Sequence, residues 1–169
     1  MKKLFTLILL LTSTTLFAQS SEDVWAKWDK KYPEVNVADL FKQEKLYADS
    51  VERHPDIPRY YFRRAAYRFN AQYLGKIKPL DKAVALSMKN VNKLTAQNQK
   101  EFEKLLGPEL LVKVGGQEIW VSIQPQMLEA FKQEVKVNSM VTLYCLYLNE
   151  HNSQNKLYNT FLISEFISL

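Results

Sequence analysis

Cysteine, histidine and glycine are all scarce in this chain. Its 169 residues hold one Cys, two His and four Gly. A lone Cys145 excludes an internal disulfide framework and zinc sites built on paired cysteines. His54 and His151 lie far apart in sequence, and neither has Asp, Glu or Cys at a metal-ligand spacing. Four glycines leave no Gly-rich phosphate loop, and no G-x-S-x-G, H-E-x-x-H or P-loop pattern occurs. Asp29, Glu118, Glu129 and Glu134 offer carboxylates, but no two of them can be set across a cleft as glycosidases require. The sequence therefore argues for no cofactor and no metal, and favours a non-enzymatic protein. The segments after residue 18 contain no apolar run near the roughly 20 residues that span a bilayer.

What the chain does have is a globular composition, with 47% hydrophobic, 12% aromatic and 24% charged residues. Residues 1–18 follow the plan of a secretory signal peptide. Lys2 and Lys3 are positive, 4–11 is apolar, and 12–18 is small and polar up to Ala18. The apolar run is too short to span a membrane, and no Cys follows it, so lipoprotein anchoring is not expected. The expectation is export to the periplasm or beyond, with removal near Ala18. The remaining chain carries 21 basic residues against 18 acids. That is a weak footprint for nucleic acid, which the sequence disfavours as a partner.

Residues 19–106 read as a helical subdomain. Trp25, Trp28 and Tyr32 fall on one helical face, and Pro33 ends that helix. The stripe docks the helix on the body; a sugar-stacking platform is the alternative. Asn36 is placed to cap a second helix carrying Val37, Leu40, Phe41, Ala48 and Val51. Asp56 and Pro58 open an expected third helix that runs to Leu74, with Gly75 as its stop. A fourth covers about 80–94, and a fifth starts at Thr95.

Residues 107–169 change period. Leu110, Val112 and Val114 alternate, Gly115-Gly116 turns, and Ile119, Val121 and Ile123 alternate again, which predicts a hairpin over 109–123. Residues 125–135 read as a helix. Residues 139–148 read as a strand that is apolar on both faces, with Val141, Leu143, Cys145 and Tyr147 on one and Met140, Tyr144, Leu146 and Leu148 on the other. Such a strand must be covered on both sides. That places Cys145 in the interior as a structural thiol. A polar loop follows, then a last strand over 157–167.

Charge divides along the same boundary. Residues 19–100 hold 16 basic and 10 acidic residues, and 101–169 hold 5 and 8. The fold class is therefore α+β, with two oppositely charged segments sharing one core.

The order hairpin, helix, long strand, last strand over about 107–168 resembles part of an OB-fold, a small Greek-key barrel with a helix between its third and fourth strands. Four strands are recognisable, and an SH3-like barrel or an open α+β sheet fits the same pattern. Residues 46–94 look like a tetratricopeptide-type helical hairpin. The stretch Glu52-Arg53-His54-Pro55, then Tyr60-Tyr61-Phe62-Arg63-Arg64-Ala65-Ala66, and Ala83 in the second helix carry that likeness. A generic antiparallel helix pair fits these residues as well.

The most distinctive window is 57–80. It holds Arg59, Arg63, Arg64, Arg68, Lys76 and Lys78 and no acid, interleaved with Tyr60, Tyr61, Phe62, Tyr67, Phe69 and Tyr73. Arginine beside aromatic rings recognises carboxylates and phosphates through forked hydrogen bonds and stacking. Arg59, Arg63, Arg64, Tyr67 and Arg68 are the candidate binding residues. The competing structural role pairs Arg63 and Arg64 with acids such as Glu101, Glu103 or Glu109, leaving Arg59 and Arg68 exposed. The functional expectation is an exported, non-enzymatic protein that recognises a protein or peptide. Its alternatives are an immunity-type inhibitor, a carrier of an anionic small ligand, or an unrecognised hydrolase.

Overall fold

The computed structural model describes residues 21–169 except 55 and 97. The expected signal segment 1–18 lies outside the described residues. The elements are α1 (Ser21–Lys31), α2 (Val37–Arg53), β1 (Tyr61–Lys78), α3 (Lys82–Thr95), α4 (Gln99–Leu105), β2 (Glu109–Val114), β3 (Gln117–Ile123), a 3-10 turn (Pro125–Met127), α5 (Leu128–Glu134), β4 (Met140–His151) and β5 (Leu157–Ser168). The fold is α+β.

The helices start where the sequence supplies caps. Asn36 Oδ1 accepts from the Asp39 amide at 3.2 Å to open α2. Asp81 Oδ1 accepts from the Ala83 and Val84 amides at 2.8 and 3.1 Å to open α3. Those two amides hold the Asp81 carboxyl below its ordinary pKa, the Val84 bond contributing most. Thr95 does not start the fifth helix. It is the last residue of α3, its hydroxyl bonded back to the Val91 carbonyl at 2.7 Å, and Asn98 caps α4 instead.

The helix expected over 56–74 is overturned: Tyr61–Lys78 form the 18-residue strand β1, and 56–60 lead into it as a turn. The helical hairpin expected over 46–94 is therefore not formed. Phe62, Ala66, Phe69 and Tyr73 fit a helical stripe, but Ala65, Tyr67, Phe69, Ala71 and Tyr73 fit a strand equally well, and the second set is what the core takes. The density of Tyr and Phe suits a pleated surface. Gly75 does not stop a helix; it sits at φ +75° in a bulge where the β1–β2 register shifts between Tyr73 and Ile77. A Cβ there would lie 2.8 Å from a Val137 methyl, so both conformation and space call for glycine.

With β1 in place the strands close into a five-stranded barrel in the order β1-β2-β3-β5-β4. All neighbours are antiparallel except β3 and β5, which close the ring in parallel at Ser122–Leu162 and Ile123–Ile163. The boundary at residue 106 thus does not separate helices from strands, because β1 precedes it.

The core is shared along the chain. Val37 and Leu40 of α2 and Phe69, Ala71 and Tyr73 of β1 are buried with Leu110, Val121, Leu143, Tyr147, Phe161 and Ile163. Phe41 stacks on Phe161 at 5.8 Å where α2 lies across one end of the barrel. Phe131 of α5 meets Tyr73 and Phe166 at 5.1 and 5.0 Å across the other. The outward face of β4 is covered as its sequence required. Leu148 packs with Met88, Val91, Phe102 and Leu162 under α3 and α4. Tyr144 packs in the aromatic stripe of α1, with Trp25, Trp28 and Tyr32 centroids at 5.7, 5.7 and 5.8 Å. Cys145 is fully buried inside the barrel, and burial pushes its thiol pKa far up.

Candidate functional site

Because β1 is a strand, its successive side chains diverge, and the basic-aromatic window does not form one surface. Odd-numbered residues turn into the barrel and even-numbered ones turn outward. Arg63 points inward at the α2 end, and its Nη1 lies 2.7 Å from Glu44 Oε1. Glu44 is 1% exposed, and both its oxygens lack a well-directed hydrogen bond. Burial raises its pKa, and the Arg63 charge pulls it back. Close by, Asn159 Oδ1 accepts from the Tyr147 hydroxyl and from Asn149 Nδ2. Tyr67 tilts against Tyr147 at 5.8 Å, so it lines the interior and not a surface.

Arg68 points outward under α1. Its Nε lies 3.2 Å from Asp29 Oδ1 and its Nη2 3.7 Å from Glu34 Oε2, while Nη1 donates to the Tyr32 carbonyl at 3.0 Å. Tyr144 donates to Asp29 Oδ1 at 2.8 Å. Burial, then the Asp29 hydrogen bond and charge, push the Tyr144 phenol up to about 12. A cleft of about 240 Å³ opens here, lined by Asp29, Glu34, Arg68, Asn70, Thr142 and Tyr144. Its only cation is already surrounded by the chain's own acids and carbonyl groups.

Both arginine placements correct the sequence expectations. The acids that hold Arg63 and Arg68 are Glu44, Asp29 and Glu34, all from the N-terminal half, and not Glu101, Glu103 or Glu109. Arg68, expected to be exposed, is locked. Attraction between the two halves runs instead through Lys78–Glu109 at 3.2 Å and Lys89–Glu103 at 3.3 Å.

Arg59 and Arg64 remain. Arg64 points outward and donates to Thr95 Oγ1 at 3.4 Å. It borders a cleft of about 460 Å³ lined also by Asn92, Asn98, Glu101, Phe102 and Lys104. Arg59 is exposed and makes no ion pair among the described residues. Its backbone is pinned, because its carbonyl faces His151 Nδ1. A carbonyl only accepts, so Nδ1 carries a hydrogen. His151 Nε2 lies 2.9 Å from Glu52 Oε1, and its ring stacks on Tyr61 at 5.2 Å. The sequence placed His151 in a polar loop; it is the last residue of β4 and fully buried. Both ring nitrogens are committed to the chain's own atoms, so this acid–histidine pair braces the loop that presents Arg59 and Tyr60.

Large apolar side chains are exposed on the start of β1 and on α3, the segments that carry Arg64 and Thr95. Tyr60 and Phe62 are 40% and 39% exposed, with ring centroids 6.2 Å apart. Leu86 and Leu94 of α3 are 60% and 52% exposed. Asn90 lies between these two leucines on one helical stripe. Its Nδ2 donates to Glu150 Oε1 at 3.0 Å, and the Tyr60 hydroxyl donates to the same oxygen at 3.1 Å. Burial, followed by the Glu150 charge and hydrogen bond, pushes the Tyr60 phenol up to about 12. The buried Glu150 thus ties β1's start to α3 and gathers Tyr60, Phe62, Arg64, Leu86 and Leu94 on one side of the molecule. Sequence reasoning missed the two leucines. The only signal was their i, i+8 spacing opposite the buried Met88 and Val91.

Among the described residues no cluster of three His, Cys, Asp or Glu side chains is placed to hold a metal ion. No helix among them is long and apolar enough to cross a membrane. No protein-family model matches the chain, and no curated protein matches it.

Proposed function

We propose that this is an exported, non-enzymatic binding protein of the cell envelope that recognises a protein or peptide partner. One observation carries the reading. Tyr60, Phe62, Leu86 and Leu94 are exposed on the two segments that Glu150 ties together, the same segments that carry Arg64, whose one side-chain hydrogen bond among the described residues goes to the Thr95 hydroxyl. Large apolar side chains gathered beside an available arginine are the composition of an interface centre. Carriage of a small anion would need converging arginines, and Arg63 and Arg68 are committed to Glu44 and Asp29. Export rests on the signal-like residues 1–18. The barrel's strand order, with α5 between β3 and β4, resembles an OB-fold, a framework that hosts many binding functions and by itself names none.

The test is affinity capture from an envelope extract with residues 19–169, side by side with the Phe62→Ala/Leu94→Ala chain. A partner held by the first and lost by the second, at unchanged melting temperature, supports the reading. A partner held equally by both overturns this site. The exported protein should lack about 18 N-terminal residues by intact mass.

A further inference from the structure

A barrel should leave no strand edge open, yet β1 keeps one. Its residues Tyr61 through Gln72 pair with β4 in unbroken register, whereas β2 pairs with β1 only from Gln72 onward. Among the described residues the other edge of β1's first half is met once, at Arg68. There the connection between α1 and α2 lies alongside as a one-residue parallel bridge. The Arg68 amide donates to the Pro33 carbonyl at 3.0 Å, and the Val35 amide donates to the Arg68 carbonyl at 3.0 Å.

This bridge fixes the direction of every backbone group before it. Amides along a strand alternate sides. Tyr73, of odd parity, donates to Ser139 beside β4, and Arg68, of even parity, faces away from β4. With no register shift between 61 and 72, the N–H and C=O groups of Phe62, Arg64 and Ala66 face the same open side as those of Arg68. Residues 62, 63 and 64 are all exposed.

Open edges in soluble proteins are commonly blunted by proline, a bulge or charged side chains. Residues 62–66 have no proline and no bulge, and their two charges are Arg63, paired with Glu44, and Arg64. An exposed phenylalanine stands at the start of the edge, and the Arg63 head is drawn inward to Glu44. We propose that the open edge of β1 at residues 62–66 takes up an extended segment of the partner as an added strand, with an apolar side chain beside Phe62 and a carboxylate beside Arg64. The mode is strand addition, in which main-chain bonds supply affinity and alternate side chains supply selectivity. The chain's own residues 33–35 already use the same edge in this way. Charge selects the occupant: Arg59 and Arg64 make no ion pair among the described residues, whereas Arg63 is held by Glu44 and Arg68 by Asp29 and Glu34. A second copy paired antiparallel about Arg64 would set arginine against arginine, which is unfavourable. The inference rests on the peptide-binding reading above and specifies how that site binds.

The probe is an acetylated, amidated octapeptide in which threonine alternates with valine and glutamate in turn. In the free protein, the amides of Phe62, Arg64 and Ala66 should exchange with deuterium roughly 100-fold faster than those of Arg63, Ala65 and Tyr67, which bond to β4. Saturating peptide should slow the three edge amides at least about tenfold. N-methylation of the peptide at one alternate set of residues should abolish binding, and at the other set should not. Edge amides that are already protected in the free protein overturn the proposal. So does a peptide that fails to bind at millimolar concentration. Protection that grows with protein concentration alone assigns the edge to a second copy and also overturns it. Shifts at the Phe62 and Leu94 side chains without edge protection sink strand addition while leaving the binding site of the preceding section standing. Edge protection combined with unchanged capture by Phe62→Ala/Leu94→Ala does the reverse.

Discussion

Two neighbouring positions on the outward face of β1, at its start and at its middle, have the same ingredients and opposite fates. At the middle Arg68 sits among Trp25, Trp28, Tyr32 and Tyr144, its guanidinium held by Asp29, Glu34 and the Tyr32 carbonyl. At the start, Arg64 sits among Tyr60, Phe62 and Leu94, with one long bond to Thr95. What differs is the element that crosses. α1 and the turn after it bring Asp29, Glu34 and three aromatic rings and close over Arg68. α3 presents Leu86, Asn90 and Leu94 beside Arg64 and stops short of covering it. An arginine among aromatic residues is thus a brace or a binding group according to what packs on it, and composition alone does not separate the two.

That contrast can be broken most severely at Tyr144. Tyr144 is 2% exposed, and its ring packs with Trp25, Trp28 and Tyr32. Tyr144→Ala is expected to cost about 3–5 kcal/mol by chemical denaturation, the range for losing a buried aromatic. A loss below about 1 kcal/mol would mean that α1 is not packed as described. Arg68→Ala should cost about 2 kcal/mol, since charged hydrogen bonds to Asp29 and Tyr32 vanish together. Partner capture should survive, because Arg68 lies outside the proposed surface.

Arg63→Gln sharpens the comparison on the inward face. Glu44 has its pKa raised by burial, with Arg63 opposing. An acid with a folded-state pKa above its unfolded value holds its proton more tightly in the native state. The associated stability is present below the unfolded value and lost as pH rises through the folded one. Removing Arg63 takes away the opposing charge, so the loss at pH 7 should be about 1–3 kcal/mol and should shrink as pH falls toward the ordinary Glu range. Urea midpoints at several pH values decide this, and a penalty independent of pH would refute it. Phe62→Ala and Leu94→Ala should change stability least, within about 0.5 kcal/mol each, as is usual for exposed positions. Cys145, buried in the barrel, should react with a thiol reagent only as fast as the protein unfolds, and burst labelling of the native protein would contradict its placement.

Much of this fold was legible in local pattern. Asn36 caps α2, as a short polar side chain before an apolar periodic run indicated. Gly115 and Gly116 turn the β2–β3 hairpin with positive φ, and the doubly apolar β4 is covered on both faces. These features depend on residues within one element, so sequence by itself determined them. Residues 56–74 were not legible, because helical and strand periods both fit their apolar residues and only pairing with β4 and β2 chooses between them. The same pairing turned four recognisable strands into a closed five-stranded barrel, split the arginines between its two faces, and left the edge at 62–66 open. Sequence also marked Arg59, Arg63, Arg64 and Arg68 as one cluster. Their separation into two braces and two available heads was decided by tertiary structure, because a salt bridge depends on which acids arrive within about 4 Å, and Glu44 and Asp29 are brought there by helices that the strand itself does not encode.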